Sequence, residues 1–243
     1  MMELTITHLY PDSMSLYGEY ANVAVLRRHL EALGVTVNLR EITSEDCIDV
    51  SDADFIYMGA GTEKMQKSVL IAAPHYAEAL KSAVARGAVL LFTGNAMETL
   101  GASVTDVKGH VWPGYGLADF TTKEFDRREP QDVLAVSSLW KSDAVGFMNK
   151  CSETYGVKTP LFEHVYLGFG NEESLEPEGF VEGNVFATHL TGPVLVKNPD
   201  FLDLIITRLF QYKGWELPGQ LPVLPHEREA YQVTLRELQA RIK

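Results

Sequence analysis

Cysteine is nearly absent: the 243 residues contain two, Cys47 and Cys151. That excludes a disulfide framework and fits a reducing compartment. Basic residues are also scarce, with twenty-one Lys and Arg against thirty-three Asp and Glu, for a formal net charge of -12. The average surface then repels a phosphate backbone or an anionic lipid headgroup, so no nucleic-acid partner is expected. No apolar run approaches the roughly 18 residues of a membrane span, and no membrane insertion is expected. The N-terminal stretch MMELTITHLYPD carries Glu3 and Asp12 where a secretory signal needs a basic flank and an apolar core. Together these absences predict a cytoplasmic protein.

Several chemistries are missing too. There is no G-x-x-x-x-G-K-[ST], hence no phosphate-cradling P-loop. His226 and Glu227 begin a zinc-protease helix, but Ala230 stands where the second histidine ligand belongs. Gly114 with Gly116, and Gly168 with Gly170, form G-x-G pairs that are not completed and do not follow the first strand of a βαβ unit, so they read as turn glycines. The histidines show no paired spacing. No metal site and no cofactor are expected.

What is present is an alternation of strand and helix. Leu4 to Leu9 is a short β-branched segment, and Tyr20 to Leu33 places Val23, Leu26, Leu30 and Leu33 at helical spacing before Gly34. Val35 to Ile42 and Asp54 to Gly61 read as strands. Helices are expected from Glu63 to Ile71 and from His75 to Arg86. This spacing indicates βαβ units and a mainly parallel sheet covered on both faces. Between Gly101 and Gly170 the helical period fades, and the short apolar runs Val133 to Val136, Val145 to Met148 and His164 to Phe169 suggest antiparallel strands at one end of the sheet. Gly183 to Leu190 reads as a further strand and Asp200 to Gly214 as a helix. The domain is drawn over residues 1-216. Residues 217-243 form a Pro-rich linker and a C-terminal helix whose stripe of Tyr231, Leu235, Leu238 and Ile242 is expected to pack on its own domain.

The stretch from Val89 to Gly101, VLLFTGNAMETLG, has the form of a nucleophile elbow: an apolar strand, a sharp Gly-bearing turn and a helix start. The segments around it, LYGEYANVAVLRRHL (16 to 30), GAGTEKMQ (59 to 66) and THLTGPVLVKNPDFLD (188 to 203), complete an ordered set. In order and spacing these resemble the class I glutamine amidotransferases of the CobB/CobQ type, over about residues 2 to 215, and most closely the GatD branch. The resemblance implies a three-layer α/β fold with a mainly parallel sheet. It also implies a Mur-ligase-like (MurT-type) ATP-using partner in cell-wall precursor amidation.

In that family the elbow reads approximately C-G-G-[YM]-Q-x-L-G and supplies the nucleophilic cysteine, while a later G-T-Y-L-H-G-P supplies a histidine base. Anchored on Leu100 and Gly101, the resemblance puts Gly94 at the cysteine, Asn95 and Ala96 at the two glycines, and Glu98 at the glutamine. Thr191 falls at the histidine, with His189 two positions earlier. Both catalytic side chains are therefore substituted. Thiolate chemistry needs a sulfur and a neighbouring imidazole, so glutaminase activity is expected to be negligible. The resemblance further implies backbone oxyanion donors at Gly59, Ala60, Gly61 and Asn95, and puts Arg128 near an arginine that holds the glutamine substrate, a solvated surface charge being the equal alternative. His189, which shares a strand parity with Thr191, is a further substrate-binding candidate. Cys47 and Cys151 do not lie on an elbow and read as incidental small residues. Two alternatives stay open: an active amidohydrolase using a substitute nucleophile such as Thr93, and a sensor binding an amino-acid-like small molecule in the remaining pocket.

Overall fold

Phe55 to Met58 is an unbroken run of buried residues, and it forms a central strand of the main sheet. The computed structural model describes residues 2–173, 177–219, 221–224 and 226–242. The first half comprises β1 (Glu3–Leu9), α1 (Tyr20–Ala32), β2 (Thr36–Ile42), β3 (Phe55–Met58), α2 (Glu63–Arg86), β4 (Val89–Thr93) and the short α3 (Ala96–Thr99). Then follow β5 (Ser103–Thr105), β6 (Val111–Pro113), β7 (Thr121–Val136), β8 (Ala144–Tyr155) and β9 (His164–Leu167). The chain closes with β10 (Phe180–Glu182), β11 (Val185–Thr188), β12 (Leu190–Thr191), α4 (Val194–Lys197), α5 (Pro199–Lys213) and α6 (Glu227–Gln239).

The main sheet has the order β10-β11-β4-β3-β1-β2, parallel throughout except for the β10–β11 pair. Strand alternation splits it into two faces. Leu4, Ile6, Phe55, Tyr57 and Leu91 pack with Leu26 and Leu30 of α1 and with Ile205 and Leu209 of α5. Ile56, Met58, Leu90 and Phe92 pack with Val69, Ala73, Leu80 and Ala83 of α2. Helix, sheet and helix thus make the expected three layers.

Where a break was expected between Ile71 and His75, α2 runs through Pro74 as one 24-residue helix. A mid-helix proline forfeits one backbone hydrogen bond, at a cost of about 3 kcal/mol. Burial of Val69, Leu70, Ala73, Leu80 and Ala83 on one continuous face offsets it.

The strands of the middle region form a second sheet of their own, ordered β12-β8-β7-β5-β6 with β9 on β7, and antiparallel except for the β5–β7 pair. Strands β7 and β8 are 16 and 12 residues long, longer than the apolar runs that signalled them, because the charged stretch EFDRREPQD carries the pairing past the apolar part with an irregularity between Glu124 and Glu129. Val133, Ala135 and Met148 on its inner face join the core beneath α5. The expected strand from Gly183 to Leu190 is divided into β11 and β12, and β12 leaves the main sheet to pair with β8. Helix α6 lays Tyr231 and Leu238 on Leu134 and Val145, while Tyr231 Oη donates to the Asp143 carbonyl at 2.7 Å.

Candidate functional site

The parallel strands β3, β4 and β11 end beside one another, and the site is built at that carboxyl edge. Strand β4 finishes at Thr93, and Gly94 takes φ +60, turning the chain sharply into Asn95 and α3. Gly94 N–H donates to the Leu190 carbonyl at 3.0 Å, which holds the turn against β12. A Cβ placed on Gly94 would lie 2.5 Å from the Ala60 Cβ and 3.6 Å from Thr191 Oγ1. The fold therefore brings Gly94, Ala60 and Thr191 together over the sheet edge. A left-handed φ costs glycine nothing and costs an L residue about 1–2 kcal/mol.

A cavity of about 230 Å³ opens above this turn. Of the residues singled out from the sequence, Ala60, Gly61, Gly94, Asn95 and Glu98 line it together with Arg128, His189 and Thr191. Gly59 does not: its Cα faces inward, where a Cβ would meet Glu19 Cβ at 2.7 Å and the Met14 carbonyl at 2.8 Å. Thr93 is fully buried and stands outside the lining, its hydroxyl donating to Glu19 Oε2 at 2.7 Å. That removes it from the surface a substrate would reach.

Glu19, at the start of α1, is the polar hub beneath the elbow. Its Oε2 accepts from Tyr57 Oη at 2.5 Å, Thr93 Oγ1 at 2.7 Å and Asn22 Nδ2 at 3.2 Å. Its Oε1 accepts from Thr191 Oγ1 at 2.8 Å and Gly192 N–H at 2.9 Å. Burial pushes the carboxyl above its ordinary range, and the hydrogen bonds from Tyr57, Thr93 and Thr191 oppose that shift.

The inner wall is a second buried network. Glu98 accepts from Gln66 Nε2 and from Ser152 Oγ, each at 2.5 Å. His189 Nδ1 lies 3.0 Å from Glu178 Oε1, and its Nε2 lies 3.2 Å from Thr154 Oγ1 and 4.0 Å from Glu98 Oε1. Glu178 also accepts from Thr188 Oγ1 at 2.7 Å and the His189 N–H at 2.7 Å. The imidazole is thus fixed from both nitrogens. Asn95 makes a reciprocal pair with Gly61: its Nδ2 donates to the Gly61 carbonyl and its Oδ1 accepts the Gly61 N–H, both at 2.9 Å. One of the amides expected to meet an oxyanion is already occupied.

The rim carries charge. Arg128 pairs with Glu63 and donates to the Asn149 carbonyl at 2.7 Å. Lys150 donates to the carbonyls of Gly170 and Asn171 at 2.5 and 3.0 Å, and burial lowers its pKa. Glu124 pairs with Lys67, and burial raises its carboxyl.

Cys151, expected to be incidental, lies in the cavity wall, because β8 alternation sends it to the same side as the Glu63–Arg128 pair. Desolvation, followed by the Glu63 charge, pushes its thiol up to about 12, which keeps it protonated. Cys47 is exposed and outside the cavity lining. Glu19, Glu63, Glu124, Lys150 and Cys151 were not assigned to the site from the sequence. The buried alternation of Thr122 and Glu124 against Ser152 and Thr154 was the available signal, masked by the charged residues around it.

A three-layer α/β fold with a left-handed turn after a central parallel strand, facing a glycine loop and a cavity at the sheet edge, is an architecture that class I glutamine amidotransferases share. The family model described as the CobB/CobQ-like glutamine amidotransferase domain matches residues 5–199, and the chain belongs to that family. The chain is 29% identical over 229 residues to the subunit GatD of the glutamine-hydrolysing lipid II isoglutaminyl synthase of Staphylococcus aureus, covering 94% of this chain and 93% of that protein. It is 26% identical over 231 residues to the corresponding Streptococcus pneumoniae subunit, covering 93% and 88%. Among solved structures, PurLQS from Thermotoga maritima superposes with a TM-score of 0.52 at 14% identity, over 88% of this chain and all 100% of that one, which is a likeness of fold.

Proposed function

We propose that this chain is a GatD-like subunit that has lost glutamine hydrolysis and partners a MurT-type, Mur-ligase-like subunit in amidation of a cell-wall precursor. The two relatives, named as subunits of lipid II isoglutaminyl synthase and matched along nearly the whole chain, support the pathway. The observation that carries the loss of hydrolysis is Gly94: the elbow keeps its φ of +60 but presents bare backbone. Removing the nucleophile from a hydrolase of this kind costs on the order of a millionfold in turnover. The imidazole in the cavity, His189, is held between Glu178 and Thr154, and beyond Ala60 and the chain neighbours the nearest atom to a Cβ on Gly94 would be the Thr191 hydroxyl. Such a subunit holds its partner in an active conformation, or leaves it to use free ammonia.

The test is to co-express the chain with the Mur-ligase-like subunit from the same source, purify through a tag on the partner, and assay ATP-dependent amidation with glutamine or with ammonium. Co-elution, with ammonium supporting amidation and glutamine not, is expected. Absence of co-elution overturns the partnership, and glutamate release by the unmodified chain overturns the loss of hydrolysis.

A second reading, a sensor of an amino-acid-like ligand, draws on the persistence of the cavity with Arg128 at its rim. A ligand-induced rise in melting temperature of the isolated chain would favour it.

A further inference from the structure

We infer that Ala60 and Asn95 lock the elbow, so that restoring the two missing catalytic side chains alone does not restore amide hydrolysis. The inference rests on the reading of Gly94 and Thr191 as substituted catalytic positions, and extends it to the opposite side of the cleft.

Two saturated carbons in contact sit about 3.5–4.0 Å apart. The Ala60 Cβ lies 2.5 Å from where a Cβ on Gly94 would stand, so an L side chain at the elbow requires a shift of roughly 1 Å. Ala60 has no rotamer by which to yield, and its loop is tethered. Its carbonyl accepts the Leu16 N–H at 2.9 Å. Gly59 is seated against Glu19 and Met14, and Gly61 is clasped twice by Asn95. On the other side, Gly94 is fixed by its bond to Leu190. Hydrogen bonds thus hold both loops in place. The methyl of Ala60 fills the volume that a nucleophile's Cβ needs, and the Asn95 carboxamide occupies the Gly61 N–H that would otherwise meet a developing oxyanion.

The experiment compares three variants of the full chain: G94C/T191H, the same with A60G added, and the same with A60G and N95G added. Melting temperature, alkylation of the introduced thiol by a chloroketone analogue of glutamine located by peptide mass, and glutamate release from glutamine are read for each. The first variant is expected to melt low and label negligibly. Adding A60G recovers the melting temperature and raises labelling about a hundredfold, the scale on which a 1 Å misplacement acts. Adding N95G raises glutamate release further. Equal labelling and turnover with and without A60G overturns the lock while leaving the reading of Gly94 intact. Glutamate release by the unmodified chain overturns that reading instead. Should G94C/T191H fail to fold, the cycle formed by Gly94→Ala, Ala60→Gly and the double variant measures the same clash: strong favourable coupling in melting temperature is expected, and additivity overturns the lock.

Discussion

The Thr191 hydroxyl donates to Glu19 Oε1 at 2.8 Å, so the side chain that would stand 3.6 Å from a Cβ on Gly94 is committed to a buried carboxylate. That carboxylate also receives Gly192, Tyr57, Thr93 and Asn22, and thereby ties α1, β3, β4 and the segment after β12 to one point.

Glu19→Ala leaves these donors orphaned inside the protein and is expected to cost about 3 kcal/mol or more in urea unfolding. Glu19→Gln costs less, because hydroxyls can turn to suit an amide, but its NH₂ must oppose either Gly192 N–H or Asn22. Burial raises the Glu19 carboxyl, so its contribution is fully present below the ordinary value of 4.5 and is lost as pH rises through the folded value. The cost of Glu19→Gln should therefore be largest in acid and shrink towards neutral pH. A cost under about 1 kcal/mol for Glu19→Ala would show that the hub is dispensable.

His8 gives the opposite pH signature. Its ring packs 5.2 Å from the Tyr57 ring, its Nε2 has no partner among the described residues, and burial lowers its pKa from 6.5 to about 4. Stability from the neutral imidazole is present above pH 6.5 and is lost as pH falls through about 4, a loss of about 3 kcal/mol. His8→Phe should flatten the urea midpoint over that range. Parallel pH profiles for the variant and the parent would rule the assignment out.

The two thiols should differ in reactivity. Cys47 is exposed, whereas the Cys151 thiol is pushed up to about 12 by desolvation and by Glu63. At pH 8 iodoacetamide is expected to modify Cys47 first, with Cys151 slower by roughly two orders of magnitude, and Glu63→Gln should speed the slow site. Peptide mass mapping over time measures both rates. Equal rates in the parent would contradict the protonated thiol.

Arg128 and Glu63 are each about two-fifths exposed, 41% and 40%, so their pair adds little to folding. Arg128→Ala should change stability by less than about 1 kcal/mol. It should nevertheless abolish any melting-temperature rise given by an amino-acid ligand. A retained shift would remove Arg128 from ligand binding.

Helix α6 is fastened by its apolar stripe. Leu238→Ala should cost about 2–3 kcal/mol and Tyr231→Phe about 1 kcal/mol, the latter for the bond to the Asp143 carbonyl. We propose residue 216 as the limit of the main domain. A chain ending there should keep its far-UV signature but melt lower and expose Leu134 and Val145, and an unchanged melting temperature would detach α6 from the core.

The parallel core was legible because its strands are short, apolar and separated by amphipathic helices, a pattern set by local chemistry. The elbow was legible for the same reason: Val89 to Phe92 followed by Gly94 admits few other conformations. What stayed hidden depended on distant pairing. Glu19 drew no assignment in sequence, and its five partners come from residues 3 to 173 positions away. Cys151 and Glu124 reach the cavity only once β7 and β8 are paired, and charged neighbours concealed that pairing. Pro74 suggested a helix break because the buried face that carries α2 through it cannot be seen locally.

Gly94 also bears on how this protein stands between folding and chemistry. A reactive residue at φ +60 keeps a working hydrolase under conformational tension, which the rest of the molecule must carry. Glycine carries no such tension, so the turn of this chain holds its φ of +60 without conformational cost. Any L side chain placed at this turn therefore starts uphill in stability, which makes the bare turn behave as a ratchet.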